Sequence, residues 1–221
     1  SEAMMCGNAT RCIGKYVYDM GMTDKTEISL ETNSGIKYLT LYPGEDGKIE
    51  SVKVDMGKAI LVPHDIPVDS ALERFIAQPV EVAGKTYEMT CVSMGNPHAI
   101  VFLPEVNSLD LEKIGPSFEH HVLFPNRVNT EFVRVINDHE LQMRVWERGS
   151  GETFACGTGA CATAVAAVLN GYCKKGEEIL IHLRGGDLRI IYHEDENVTM
   201  IGPATYVFEG KINVPVSCRT L

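Results

Sequence analysis

The sequence predicts an α+β fold built from two related lobes, and three observations lead there. Segments of alternating apolar and polar residues outnumber helical ones, so strands dominate without the rhythm of a doubly wound parallel sheet. A Cys-Gly segment that opens a helix occurs twice, at Cys6 and Cys156, 150 positions apart. The second of these helices carries Ala160, Ala162, Ala164, Ala166 and Ala167, which leaves almost no polar face. A helix apolar all round is a buried one, and small side chains let strands pass close to it.

The first unit is Met5-Cys6-Gly7-Asn8-Ala9-Thr10-Arg11-Cys12, followed by helix-compatible residues to Met20 and closed by Gly21 as a left-handed cap. Segments 26–32 and 35–42 read as strands about a turn at Asn33-Ser34-Gly35. Segment 48–56, with Ile49, Val52 and Val54 alternating with polar residues, reads as a third strand after the turn Gly44-Glu45-Asp46-Gly47. The Pro-rich stretch 62–67, with Gln78-Pro79 beyond it, is the expected crossing between lobes. Strands are expected at 85–92 and 98–103, flanking the loop Met94-Gly95-Asn96-Pro97. A helix over 109–121 takes Ser108 or Asp110 as its cap, and 129–136 with 140–148 form a hairpin. The second unit, Phe154-Ala155-Cys156-Gly157-Thr158-Gly159-Ala160-Cys161-Ala162, continues as a helix to Gly171. Strands at 178–183, 187–192, 198–201 and 205–214 complete the chain. Residues 1–57 with 205–221 are expected to form the first lobe and 58–204 the second.

Composition narrows the function classes. The chain has 221 residues, 44% of them apolar and 23% charged, as in an ordinary globular protein. A net charge of −10 argues against a nucleic-acid or anionic-membrane partner. No apolar run approaches the roughly 18 residues of a membrane span, and no signal segment leads the chain. Seven cysteines without a C-x-x-C pairing fit neither a zinc ribbon nor a full disulfide framework. A reducing, cytoplasmic setting is the simplest reading. The chain opens on Ser1-Glu2-Ala3 and reaches the first motif within five residues, so upstream residues are expected.

The two Cys-Gly segments carry the chemistry. A cysteine at a helix start meets unpaired N–H groups and the positive end of the dipole, which favours its thiolate below the free pKa of about 8.5. One such thiol suggests a nucleophile, whereas two facing ones suggest an acid and a base. Cys12 lies too far into its helix to share the effect, and Cys161 reads as packing. Cys91, Cys173 and Cys218 read as structural. His120-His121 are adjacent on a helix and point apart, so no metal site is expected there. A hydrolase with Cys156 as nucleophile and His98 as base is one rival, and a non-catalytic binding protein is another.

Five motifs in order extend the argument: Cys6-Gly7-Asn8-Ala9-Thr10-Arg11-Cys12, Met94-Gly95-Asn96-Pro97-His98-Ala99, Arg127-Val128-Asn129-Thr130, Glu147-Arg148-Gly149-Ser150-Gly151-Glu152-Thr153 and Ala155-Cys156-Gly157-Thr158-Gly159. Together they resemble the diaminopimelate epimerase family, whose superfamily also includes proline racemase-like and phenazine-biosynthesis-type proteins. The resemblance implies lobes that are curled, mostly antiparallel sheets around a central helix, with the active site in the cleft between them. It implies epimerisation of LL- and meso-diaminopimelate without a cofactor or metal, in lysine and peptidoglycan precursor synthesis. Cys6 and Cys156 are then the acid–base pair, and His98 and Glu147 tune the thiols. Gly7, Asn8, Gly157 and Thr158 surround the reacting end of the substrate, with Asn96, Asn129, Glu147 and Arg148 as further binding groups. The expected partner is a small amino-acid substrate, and the expected assembly is a homodimer. A proline or hydroxyproline racemase-type activity is the alternative on the same scaffold. Members of the family carry a longer N-terminal segment, and Ala9 stands where a second glycine is common.

Overall fold

In the computed structural model, which describes residues 6–33 and 35–213, helix α1 (Gly7–Asp19) leads into β1 (Glu27–Thr32), β2 (Gly35–Pro43) and β3 (Ile49–Lys58). A 3-10 turn at Pro63–Asp65 precedes β4 (Gln78–Val82), β5 (Lys85–Ser93) and β6 (Pro97–Phe102). Helix α2 (Leu111–Glu119), the hairpin β7 (Asn129–Asn137) and β8 (Glu140–Glu147), and the short β9 (Gly151–Thr153) come next. Helix α3 (Gly157–Leu169) is followed by β10 (Glu178–Leu183), β11 (Gly186–Tyr192) and β12 (Asn197–Pro203). The strands form one sheet in the order β1-β2-β3-β12-β11-β10-β8-β7-β6-β5-β4, with β9 beside β8. Only β6–β7 and β8–β10 are parallel among the described pairings, and each is connected through a helix, as parallel neighbours require.

The α1-β1-β2-β3 unit recurs as α3-β10-β11-β12. Helix start Gly7 corresponds to Gly157, and left-handed cap Gly21 to Gly171. The hairpin pair Thr32–Gly35 corresponds to Leu183–Gly186. The turn ending at Gly47 corresponds to the one ending at Glu196, and both residues hold a positive φ. Counting on from those turns, Val52 matches Ile201 and Lys53 matches Gly202. The third strands pair antiparallel as Val52–Gly202 and Lys53–Ile201, so an internal two-fold passes between these two pairs.

Burial divides the two helices. Residues 157–167 of α3 are all buried, with β5, β6, β7, β8, β10, β11 and β12 packed about them. The small alanines permit that approach, and the core extends to Val92, Ile100, Met143, Ile181 and Ile190. A second cluster around Phe118, Phe132 and Trp146 seats α2 on the other side of β7 and β8. Helix α1 buries Gly7, Thr10, Arg11 and Gly14 against β2 and β3 and exposes Ile13, Tyr16 and Met20. Gly14 makes that seat possible, because a β-carbon there would stand 2.9 Å from Leu41.

Two expectations change. Residues 205–213 carry no regular secondary structure, so the strand expected at 205–214 is absent over the described residues. Gln78-Pro79 opens strand β4, whose place at the sheet end leaves one edge open; there a proline costs no ladder bond. The three-residue β9 was too short to show an alternation. Asp110, whose side chain accepts from the Lys113 N–H, is the cap of α2 rather than Ser108. Cys218 lies outside the described residues. No helix among the described residues is long and apolar enough to cross a membrane.

Candidate active site

The starts of α1 and α3 have the same construction. Cys6 (φ −130°, ψ 109°) and Cys156 (φ −127°, ψ 107°) are the N-cap residues, and neither side chain caps its helix. Each cysteine carbonyl accepts the first helical bond at 2.9 Å, from Thr10 and from Ala160. The two helix ends meet, and glycine is what lets them: a β-carbon at Gly157 would stand 3.6 Å from the Gly7 Cα and 3.4 Å from Asn8 Oδ1. A β-carbon at Gly7 would lie 2.8 Å from Met200. The Asn8 side chain spans the junction, donating to the Ala155 carbonyl at 3.4 Å and accepting from Arg11 at 3.2 Å. Buried Arg11 also donates to the carbonyls of Gly7 and Pro203. Two helix N-termini thus meet, an environment suited to a carboxylate.

The thiols differ in exposure. Cys6 is exposed and Cys156 is buried, with its sulfur 3.5 Å from Thr158 Oγ1. A lowered pKa was expected of a helix-start thiol, and for Cys156 the structure reverses the sign. Burial pushes this thiol up, and the Glu147 and Glu131 carboxylates push the same way; the Thr158 hydroxyl and Gly159 N–H oppose them and lose. Burial also raises Cys161 to about 12 and Cys173 to about 11, and it raises Cys91. Exposed Cys12 lies along α1, away from the helix start.

Behind Cys156, strands β6, β7 and β8 supply a polar group. His98 is fully buried; its Nδ1 lies 2.7 Å from Glu131 Oε1 and its Nε2 lies 3.0 Å from Asn96 Oδ1. No Cys156–His98 hydrogen bond forms among the described residues, which removes the contact a Cys–His hydrolase needs. Glu147 accepts from the Thr153 hydroxyl at the end of β8. Asn129 is buried and donates to the Pro97 carbonyl at 2.9 Å while accepting from the Arg148 N–H at 2.9 Å. The Arg148 guanidinium is held on the Asn126 carbonyl at 3.0 Å. Gly7, Asn8 and Gly157 are therefore in one cluster, with Thr158 against the Cys156 sulfur. His98 and Asn96 are in direct contact, and Asn129 ties the Pro97 loop to Arg148.

Three participants escaped the sequence reading. Glu131 is fully buried beside His98, and Arg11 organises the first helix start. Glu119, also buried, accepts from Trp146 Nε1 at 2.7 Å, Gly149 N–H at 2.9 Å and Arg127 at 3.1 Å, clamping the loop that carries Glu147 and Arg148. Arg11 lay inside a quoted motif, and its charge on the helix's inner face was the available signal.

Comparison with known proteins adds independent findings. The sequence model described as diaminopimelate epimerase matches residues 1–62 and 90–207. A diaminopimelate epimerase of Agathobacter rectalis is 56% identical over 97% of this chain and 77% of its own length. One of Acetivibrio thermocellus is 57% identical over 97% of this chain and 76% of its own. Among solved structures, a probable proline racemase from Agrobacterium radiobacter K84 superposes with a TM-score of 0.71 at 14% identity, covering 97% of this chain and 70% of that one. A phenazine biosynthesis protein of the PhzF family from Bacillus anthracis gives 0.64 at 15% identity, over 96% and 77%. The structural likenesses establish the α+β fold, and the sequence matches settle the lineage: this chain belongs to the diaminopimelate epimerase family.

Proposed function

We propose that this chain interconverts LL- and meso-diaminopimelate by proton transfer between two cysteines at the α-carbon, without a cofactor. The observation that carries the reading is the matched pair of N-cap cysteines, Cys6 and Cys156, on abutting helix starts. One sulfur, as thiolate, takes the α-proton; the other, as thiol, delivers a proton to the opposite face of the carbanion. The roles are exchanged at the end of the turnover, so both directions run on the same pair. The α-proton is very weakly acidic, and the substrate carboxylate gains negative charge as it leaves. Converging helix N-termini stabilise that charge with dipoles fixed in advance. Burial raises the Cys156 thiol above its ordinary value, which favours its protonated form in the substrate-free protein.

In this reading Gly7, Asn8, Gly157 and Thr158 surround the reacting carboxylate, and His98 and Glu147 set the protonation of the thiols. Asn96, Asn129, Glu147 and Arg148 recognise the substrate, the asparagines through the loops they hold. The substrate is placed in the cleft between lobes of residues 1–57 with 205–221 and 58–204, of which 1–5 and 214–221 lie outside the described residues. The six described cysteines are all free, which favours the cytoplasm, and a homodimer is the assembly we propose.

The test is isotope exchange. The reduced protein is incubated with LL-diaminopimelate in D2O, with proline in parallel, and the α-carbon is examined by mass spectrometry. Deuterium in diaminopimelate alone, lost in Cys6→Ala and in Cys156→Ala, is the expected result. Deuterium in proline alone would keep the mechanism and replace the substrate; none in either would end the reading.

A further inference from the structure

Glu131 is the group behind Cys156 whose hydrogen bonding does not close. Its Oε1 lies 2.7 Å from His98 Nδ1, while its Oε2 is buried and has no hydrogen-bond partner among the described residues. The other nitrogen of the same imidazole, Nε2, faces the carbonyl oxygen of Asn96 at 3.0 Å. An ionised carboxylate would leave a bare charged oxygen in the interior, desolvated and without a donor. A protonated one leaves only a carbonyl-type oxygen unpaired, a far smaller penalty. The neutral form also accounts for both nitrogens: Oε1–H donates to Nδ1, and Nε2–H donates to Asn96.

The thiol is close by. A β-carbon at Gly159 would stand 2.6 Å from Glu131 Oε1 and 3.2 Å from Cys156 Sγ, so this glycine is the opening between acid and sulfur. The titratable groups around Glu131 are His98 on β6, Glu147 on β8, Cys91 on β5 and Cys156 at the start of α3. Of these only the imidazole can offset an anion.

We propose that Glu131 is a neutral carboxylic acid in the resting protein and acts as a positioning residue for Cys156, orienting His98 through Oε1–H and keeping the wall behind the sulfur uncharged while the thiolate forms. The assignment rests on Cys156 being an acid–base thiol, as proposed above. Burial raises the Glu131 pKa above its ordinary value, Glu147 adds to the rise, and His98 opposes it without cancelling it.

Infrared spectroscopy of the wild-type protein at pH 7 is the first test. A protonated-carboxyl C=O band that moves on 13C-glutamate labelling and is missing from Glu131→Gln is expected; no such band overturns the proposal, and this arm does not depend on a variant folding. The second test is alkylation of Cys156 as a function of pH, resolved by peptide mass spectrometry. Glutamine mimics the neutral acid, so at pH 7 the Gln variant should react within about threefold of wild type. A rise of about tenfold or more would mean that a negative charge had been removed, and would overturn it. Toward alkaline pH the wild-type rate should climb less steeply than that of Glu131→Gln, because Glu131 then ionises beside the sulfur. Coincident profiles would leave a purely structural contact and also overturn the proposal. Neither readout needs turnover, so a missing band with intact isotope exchange refutes this inference alone, and a present band without exchange refutes the epimerase reading and the positioning role with it, leaving only the neutral acid.

Discussion

Gly159 earns its place at the scale of single residues. The helix start after Cys156 was expected to present unpaired backbone N–H groups; the structure adds a use for its glycine, the close passage of a carboxyl and a thiol past a residue without a side chain. Gly159→Ala would force the Glu131 carboxyl aside and strain its contact with His98. We expect a loss of about 1–3 kcal/mol in urea denaturation, together with an α-deuterium exchange rate reduced about tenfold or more. Unchanged exchange in a folded variant would show that the contact does not matter. Cys6 and Cys156 were legible because each follows the same rule: a cysteine before glycine at a helix start, repeated. Glu131 was not, for a physical reason. Residues 129–133 of β7 are all buried, since α3 packs on one side and α2 on the other, so the strand has no solvent face against which an acid would look misplaced.

At the scale of elements, turns and caps were the clearest signals, and most strands stood close to where alternation put them. The failures are informative. A proline hid β4 because edge position, which makes it harmless, is a property of the assembled sheet. The apolar residues after Ala204 suggested a strand, but Tyr206, Val207 and Phe208 are exposed and no neighbour in the described sheet pairs with them. The loop between β8 and β9 depends on Glu119 at the end of α2, whose carboxylate is held below its ordinary pKa by the Trp146 indole N–H, the Gly149 N–H and nearby cations despite its burial. Glu119→Ala would leave the buried indole N–H unpaired, for about 1–3 kcal/mol of lost stability. By releasing the Glu147–Arg148 loop it should raise KM for diaminopimelate about fivefold or more, with a smaller change in kcat. Steady-state kinetics on the folded variant checks this, and an unaltered KM would detach Glu119 from substrate recognition.

For the whole molecule, the α+β plan and the repeated helix unit were legible, but the single sheet that joins the units was not, because pairing between distant strands leaves no local trace. The interior does carry a measurable collective property. Cys91, Cys156, Cys161 and Cys173 all have raised thiol pKa values through burial. In the unfolded chain they ionise from about pH 8.5, so above that pH the native state holds more protons than the unfolded one and stability falls as pH rises. Each thiol contributes a slope of up to about 1.4 kcal/mol per pH unit until its folded value is reached. Urea midpoints at pH 7, 8.5 and 10 should therefore be level at first and then decline; a flat profile would contradict it. The internal two-fold has a consequence for ancestry. Arg11 and Cys161 hold corresponding positions in α1 and α3, close enough for each to act on the other's charge, and the Arg11 guanidinium lies beside Gly202 at the axis. Two arginines there would confront each other without water, and two cysteines would leave Gly7, Asn8 and Pro203 without the donor they share. If the halves descend from one duplicated unit, this was a place where they could not stay alike: a lineage that adopted the arginine in one copy had to keep a small residue in the other.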